Sequence, residues 1–304
     1  MDDPDNLIAD QTATAPLRLA LPKGRMQDGV FKLLADAGIP VRVGSRGYRP
    51  QLTLGGVPID AKILKPQNVV EMLDAGSRDV GFAGADWIRE LGAGVVEVLD
   101  TGLDAVRLVA AAPAGLLQNG RPPSGRPLVI ASEYENITRE WIASRGHDAR
   151  FVRSYGATEV FPPEDADCIV DIAASGDTLR AHNLVVFDEL ASSTTRLYAS
   201  RRAMQDSRAG GPRQQIDRLV MLLRSVLEAR QRVMLEVNVT RASLDSVVAV
   251  LPCMREATIA PLHGDSGYAV KAAVPRRDLP VLIPELKARG GTDIVVTQPS
   301  QIIP

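Results

Sequence analysis

Between Leu17 and Ala112, short apolar runs alternate with segments of helical period, and this alternation confines the chain to an α/β layer with a largely parallel sheet. Residues 17–21 read as a strand that ends in the turn Pro22-Lys23-Gly24-Arg25. A helix is predicted from Gln27 to Ala37, with Val30, Leu33, Leu34 and Ala37 at helical spacing and Gly38 as its stop. Residues 41–54, which include Arg42, Arg46 and Arg49, alternate like a hairpin, and 59–64 read as a strand. Pro66 opens a helix stopped by Gly76; a Gly-rich strand over 79–84, a short helix to Leu91 and separate strands at 95–99 and 106–112 follow.

A second, smaller α/β unit is expected after the Pro- and Gly-rich loop 113–127. It runs through a strand at 128–131, a helix carrying Trp141 and Ile142 and ended by Gly146, a strand at 151–152 and a turn at 156–160. Strands at 184–190 and 195–200 read as returning to the first unit, 201–213 as a loose loop, and 214–231 as an amphipathic helix with one packing stripe from Ile216 to Leu227. The tail reads strand (233–239), helix (243–251), strand (257–260), strand (268–274), helix (278–289), strand (294–297), the order of a ferredoxin-like sandwich.

One stretch carries the chemistry. Residues 167–173 form an apolar strand with two carboxylates, Asp167 and Asp171, and run into a turn of small and hydroxyl residues, Ala174-Ser175-Gly176-Asp177-Thr178, with Leu179 in the helix that follows. Peptide N–H groups in such a turn can converge on a phosphate, and carboxylates four apart on a strand share a face where sugar hydroxyls would bind. The alternative is an ordinary helix start capped by Thr178 or Asp177. The cations of Lys23 and Arg25 likewise suit an anionic ligand or are solvated turn charges.

Composition narrows the field. A formal net charge of −2 over 304 residues argues against a general nucleic-acid binder, so any phosphate site must be local. Cys168 and Cys253 are the only cysteines; both fall in apolar runs, read as buried thiols and suit a reducing cytoplasm. His147, His182 and His263 are scattered without zinc-like spacing. No apolar run reaches the ~18 residues of a membrane span, and residues 1–16, acidic and polar, read as a frayed extension and not a signal peptide.

Taken in order, the segments 19–25 (Leu-Ala-Leu-Pro-Lys-Gly-Arg), 79–86 (Asp-Val-Gly-Phe-Ala-Gly-Ala-Asp), 131–139 (Ala-Ser-Glu-Tyr-Glu-Asn-Ile-Thr-Arg), 167–184, 258–262, 274–278 and 286–290 resemble the long form of ATP phosphoribosyltransferase, the first enzyme of histidine biosynthesis. The resemblance implies two periplasmic-binding-protein-like lobes (17–104 plus 185–228, and 105–184) and a C-terminal ferredoxin-like regulatory domain (229–304). It implies a pentosyl transfer, in which N1 of the ATP adenine attacks C1 of phosphoribosyl pyrophosphate, with Mg²⁺ held mainly by substrate phosphates. By position, Ser175, Gly176, Asp177, Thr178 and Leu179 would cradle the 5′-phosphate, while Asp167 and Asp171 would face the ribose or the metal. Lys23, Gly24 and Arg25 would meet phosphates, and Arg49, Gly84, Asp86 and Arg139 would lie near ATP. Lys23, Arg25 and Asp171 are the expected catalytic groups. The resemblance also implies feedback inhibition by histidine, at a site lined by Asn238, Met254, Thr258, Ala273 and Asp293, and a cytoplasmic homo-hexamer in equilibrium with dimers.

The sequence departs from the family pattern in places. Asp177 puts an acid in the phosphate turn, Glu135 stands where Pro is usual and is expected to loosen that turn, and Asp104-Ala105 stands where Gly is frequent. Asn238 replaces an expected acid and Asp293 an expected small residue, so Asp293 would take over pairing with the histidine amine. Competing readings are an inactive two-lobed small-molecule-binding homologue, and a subunit dependent on a partner.

Overall fold

The structure, a computed structural model, describes residues 15–44 and 47–303. Most of the expected extension and Arg46 of the expected hairpin lie outside the described residues. The chain divides into two compact units: residues up to Lys32 with Val41–Asp217, and Leu33–Pro40 with Arg218–Pro304.

In the first part of the chain come β1 (Arg18–Pro22), α1 (Gln27–Asp36), β2 (Thr53–Leu54), β3 (Val57–Pro58), β4 (Asp60–Leu64), α2 (Pro66–Asp74), β5 (Val80–Gly84), α3 (Ala85–Leu91) and β6 (Val96–Pro113). Then come β7 (Leu128–Ser132), α4 (Glu135–Arg145), β8 (Ala149–Arg153), β9 (Cys168–Ala173), α5 (Asp177–Ala181), β10 (Leu184–Ala199), α6 (Arg201–Gln205) and α7 (Pro212–Gln231). One continuous sheet runs β4-β1-β5-β10-β6-β9-β7-β8.

That order is the same wiring used twice. From one edge, β4, β1 and β5 are parallel and β10 joins β5 antiparallel, with β6 beyond it. From the other edge, β8, β7 and β9 are parallel and β6 joins β9 antiparallel, with β10 beyond it. The two long strands exchange roles between the halves. This is the two-lobed, periplasmic-binding-protein-like α/β arrangement that the resemblance implies. In each half the parallel strands end at their carboxyl edges toward the same crevice, where α/β sheets place ligands.

Two expectations are corrected here. The pairs 95–99/106–112 and 184–190/195–200 are not separate strands but single long ones, β6 and β10, paired with each other along their length. Gly102 (φ 65°) and Asp104 (φ 50°) make bulges, not a turn. Asp104, where the resemblance makes Gly frequent, holds its left-handed backbone with its carboxylate accepting a 2.8 Å hydrogen bond from Thr195 Oγ1. The interval 201–213 is also not wholly loop: Ser200 Oγ accepts from Ala203 N and caps α6. Of the 41–54 hairpin, the described residues keep the Arg42–Gln51 bridge and the start of the small β2–β3 hairpin.

The second unit contains β11 (Arg232–Val239), α8 (Leu244–Val248), β12 (Thr258–Pro261), β13 (Tyr268–Pro275), α9 (Leu279–Ala288) and β14 (Thr292–Thr297). Its antiparallel sheet has the order β12-β13-β11-β14, the ferredoxin-like arrangement of a βαββαβ chain. Period-two alternation decides the faces. Val233, Leu235, Val237 and Val239 of β11 and Val270, Ala272 and Val274 of β13 are buried in one core with Val247, Leu282 and Leu286 of the helices. Met234, Glu236 and Asn238 fall on the opposite face.

Candidate active site

At its carboxyl end β9 meets a turn and then α5. Asp171 to Leu179, with Glu133 after β7 and Gly156–Glu159 after β8, enclose a cavity of about 340 Å³. Gly176 has φ 79°, a left-handed conformation in which Gly carries no Cβ penalty, and it turns the chain into α5. A turn of this kind presents successive peptide N–H groups to one concavity. Neither Thr178 nor Asp177 caps the helix through its side chain, which corrects the simpler reading of this turn. Burial pushes the Asp171 carboxyl up to about 6; the Ile172 N–H, which donates to it at 2.7 Å, opposes the rise, while Glu159 and Glu133 reinforce it. Burial also raises Glu133.

The acid inside the turn already has partners. Asp177 accepts from Ser175 Oγ at 2.5 Å and is paired with Arg180, and these hydrogen bonds hold it below the usual carboxylate range. The Asp177 carboxylate therefore bridges the turn residue Ser175 and Arg180 of α5. Its side chain does not stand as a free anion in the turn.

Asp167 is not where the sequence suggested. It precedes β9, about 13 Å along the strand from Asp171 at the usual rise per residue. Its carboxylate takes a bidentate pair from Arg126 (2.6 and 3.1 Å) and the N–H of Val129 (2.8 Å). Sharing a strand face does not bring the two acids to one ligand. Asp167 braces β9 against β7, and its carboxyl lies low because Arg126 holds it.

In the first lobe, the Pro22–Arg25 turn leaves β1 with Gly24 at φ 83°. Lys23 Nζ lies 5.4 Å from the centroid of the Tyr48 ring, and Arg25 Nη1 donates to the Asp104 carbonyl at 2.8 Å. Both residues, and Arg49, are exposed. Gly84 ends β5 and forms the start of α3.

Asp86 is 6% exposed and accepts from Tyr134 Oη and Ser193 Oγ, both at 2.7 Å, which leaves it little capacity for a nucleotide. Arg139 also has a protein partner. Its Nε donates to Glu135 at 2.9 Å and its guanidinium lies 5.2 Å from the Phe151 ring centroid. Glu135 takes Arg153 as well, at 2.5 Å, so this residue fixes its turn instead of loosening it.

Sequence reasoning missed Glu133 and Glu159 as cavity residues. Glu133 had a usable signal, since it follows the apolar run of β7; Glu159 had none, because its place depends on how the 153–167 connection folds back. Cys168 is buried and its thiol is pushed up to about 12 by burial, whereas Cys253 is only half-buried, unlike the expectation for both.

In the C-terminal unit, Asn238 Nδ2 donates to Asp293 at 3.1 Å, and Thr292 Oγ1 donates to the same carboxylate oxygen at 3.1 Å. Asp293 sits at φ 47°. Thr258 pairs with Lys271 and Ala273 with Met234, whereas Asn238 pairs with Ala269. Ala273 is therefore about 13 Å along β13 from the residue opposite Asn238, so within one chain these five residues do not line a single point. Met254 lies in the connection between α8 and β12.

Comparison with known proteins places these features in a family. A model of ATP phosphoribosyltransferase (HisG) matches residues 65–225, and a model of the HisG C-terminal domain matches 229–300. ATP phosphoribosyltransferase from Chlorobium phaeobacteroides is 35% identical over 284 residues, covering 91% of this chain and 94% of its own. The one from Pelotomaculum thermopropionicum is 35% identical over 294 residues, 95% of this chain and 99% of its own. A solved ATP phosphoribosyl transferase (HisG:HisZ) complex from Thermotoga maritima matches with a TM-score of 0.59 and 26% identity, over 70% of this chain and 98% of that one. With both domain models in tandem on this fold, and relatives matched over nearly their whole length, the chain belongs to the ATP phosphoribosyltransferase family in its long form.

Proposed function

We propose that the cavity behind the β9–α5 turn is the phosphoribosyl pyrophosphate site of this transferase. The observation that carries the reading is the union, in one cavity of about 340 Å³, of a left-handed Gly turn and a half-buried acid three residues upstream of that turn's start. The turn 174–178 binds the 5′-phosphate through peptide N–H groups, and Asp171 accepts from the ribose hydroxyls. Lys23 and Arg25, exposed at the end of β1, meet the phosphates of ATP and of the leaving pyrophosphate.

In the reaction, the N1 lone pair of adenine forms the bond to C1 while the C1–O bond breaks and pyrophosphate leaves with that electron pair. No side chain is needed as a nucleophile. The protein aligns two polyanions and stabilises the charge that develops on the leaving group. Mg²⁺ is proposed to arrive with the substrate phosphates, since it keeps most of its own waters and binds few protein groups. Glu133, Glu159 and Asp171 line the same cavity without converging as a cage.

The C-terminal unit is proposed as the histidine-responsive domain, with Asp293 receiving the histidine amine, and the assembly as a cytoplasmic homo-hexamer in exchange with dimers. What supports the effector reading is that Asp293 and Asn238 are neighbours, so the acid lost at one position is present beside it. The departures at Asp177 and Glu135, the sole grounds for an inactive homologue, both have ion-pair partners within the protein. The test is formation of phosphoribosyl-ATP, followed by absorbance, by the purified chain alone from ATP, phosphoribosyl pyrophosphate and Mg²⁺. Turnover that needs an added second protein overturns the self-sufficient reading.

A further inference from the structure

Besides β6 and β10, the lobes are joined by a contact between α3 and α4 that the reaction itself does not call for. Glu90, in the last turn of α3, is 3% exposed. Its two carboxylate oxygens accept from the N–H groups of Asn136 and Ile137, each at 3.0 Å, at the start of α4. In return Asn136 Nδ2 donates to the Glu90 carbonyl at 2.8 Å, at the end of α3. Helix ends leave N–H and C=O groups unpaired, and a residue of the same segment normally supplies the cap. Here Tyr134, at the N-cap position of α4, offers no side-chain cap, and the lobes cap each other's helices instead. A buried carboxylate is costly unless it is fully hydrogen-bonded, so the arrangement is specified and not incidental.

The capped segment is short and leads directly to the cavity. Tyr134 packs on Trp87 of α3 with ring centroids 4.6 Å apart and donates to Asp86. Ser132 Oγ accepts from Tyr134 N at 2.9 Å and donates to Val170 O at 2.6 Å. Between them stands Glu133, a wall of the cavity. Residues 132–137 are therefore held at one end by β9 and at the other by α3.

We infer that Glu90 and Asn136 are positioning residues for the pyrophosphate-donor pocket: their reciprocal cap fixes the β7–α4 segment, and with it Glu133, against the first lobe. The inference rests on the reading of the cavity as the donor site. A displacement of about 1 Å at a binding wall is enough to cost substantial affinity or rate.

The experiment is calorimetric titration of phosphoribosyl pyrophosphate with Mg²⁺ into the full chain without ATP, together with steady-state kinetics. In Glu90→Gln an amide NH₂ faces a peptide N–H, one bond is lost, and donor affinity is expected to fall about tenfold, while KM for ATP stays within about twofold. Asn136→Ala, at an exposed position, folds regardless and is expected to weaken the donor about threefold. Arg89→Ala removes only the exposed Arg89–Glu140 pair of the same helix contact and is expected to leave donor affinity unchanged. Lowered thermal stability with unchanged donor affinity in both cap variants overturns the inference, as does equal weakening by Arg89→Ala. Asp171→Asn in the same titration keeps the two ideas apart: its failure to weaken the donor overturns the pocket assignment, whatever the cap variants do.

Discussion

Asp171 shows how one residue's surroundings set both its titration and its cost. Its folded carboxyl sits at about 6, above the ~4 of an unfolded chain. Between pH 4 and 6 the folded state binds the extra proton, so stability falls as pH rises through that window and the full penalty applies above it. Asp171→Asn removes the ionisation. We expect the variant to gain stability relative to the native chain from pH 4 to 6, by up to about 3 kcal/mol, while turnover falls at least about 100-fold at pH 8. Thermal melts at stepped pH and product absorbance check the two halves; a pH-independent stability difference refutes the assignment of the raised carboxyl. Gly176 is a simpler case. At φ 79°, Gly176→Ala is expected to cost about 1–2 kcal/mol in urea unfolding and to distort the phosphate turn.

The sequence and the structure part company chiefly over elements. Periodicity located the strands and helices of both units closely, because side-chain spacing is a local property. It divided β6 and β10 where Gly102, Asp104 and the 190–195 stretch break the apolar pattern, since a bulge and a turn use the same residue types. Pairing between the two long strands decides the matter, and pairing is not local. At this scale, Asp104→Ala keeps the left-handed backbone strain but loses the Thr195 bond, so a loss of about 2 kcal/mol is expected, with Asp104→Gly costing less. Ser200→Ala removes the cap of α6 and is expected to cost about 1 kcal/mol. Urea midpoints at constant slope read both; a larger loss for Asp104→Gly than for Asp104→Ala contradicts the strain argument.

For the whole molecule, the C-terminal unit poses the regulatory question. Asp293→Ala is expected to weaken histidine binding at least about tenfold, because an ammonium–carboxylate hydrogen bond is charge-assisted and about twice as strong as a neutral one. Calorimetry with histidine decides it, and undiminished affinity rules the role out. The ferredoxin-like order was legible from the tail alone, as βαββαβ admits few sheet arrangements. The contact between Asn238 and Asp293 was not legible in the same way: they meet only because β11 and β14 are neighbours in a sheet whose register shifts between Glu236 and Asn238.

The opening alternation of strand and helix, the order of motifs and the acid–turn stretch determined by themselves the α/β class, the family and the place of the turn that lines the cavity. These are local or ordinal properties, and hydrophobic spacing and turn chemistry write them directly into the chain. Which acids and cations face the ligand was decided by tertiary structure. Asp167 went to Arg126, Arg139 to Glu135 and Asp86 to Tyr134 and Ser193, while Asp171 kept the cavity with Glu133 and Glu159. The reason is physical: a charged group buried at a crevice takes the nearest partner that satisfies its hydrogen bonds, and that partner can lie a hundred residues away along the chain.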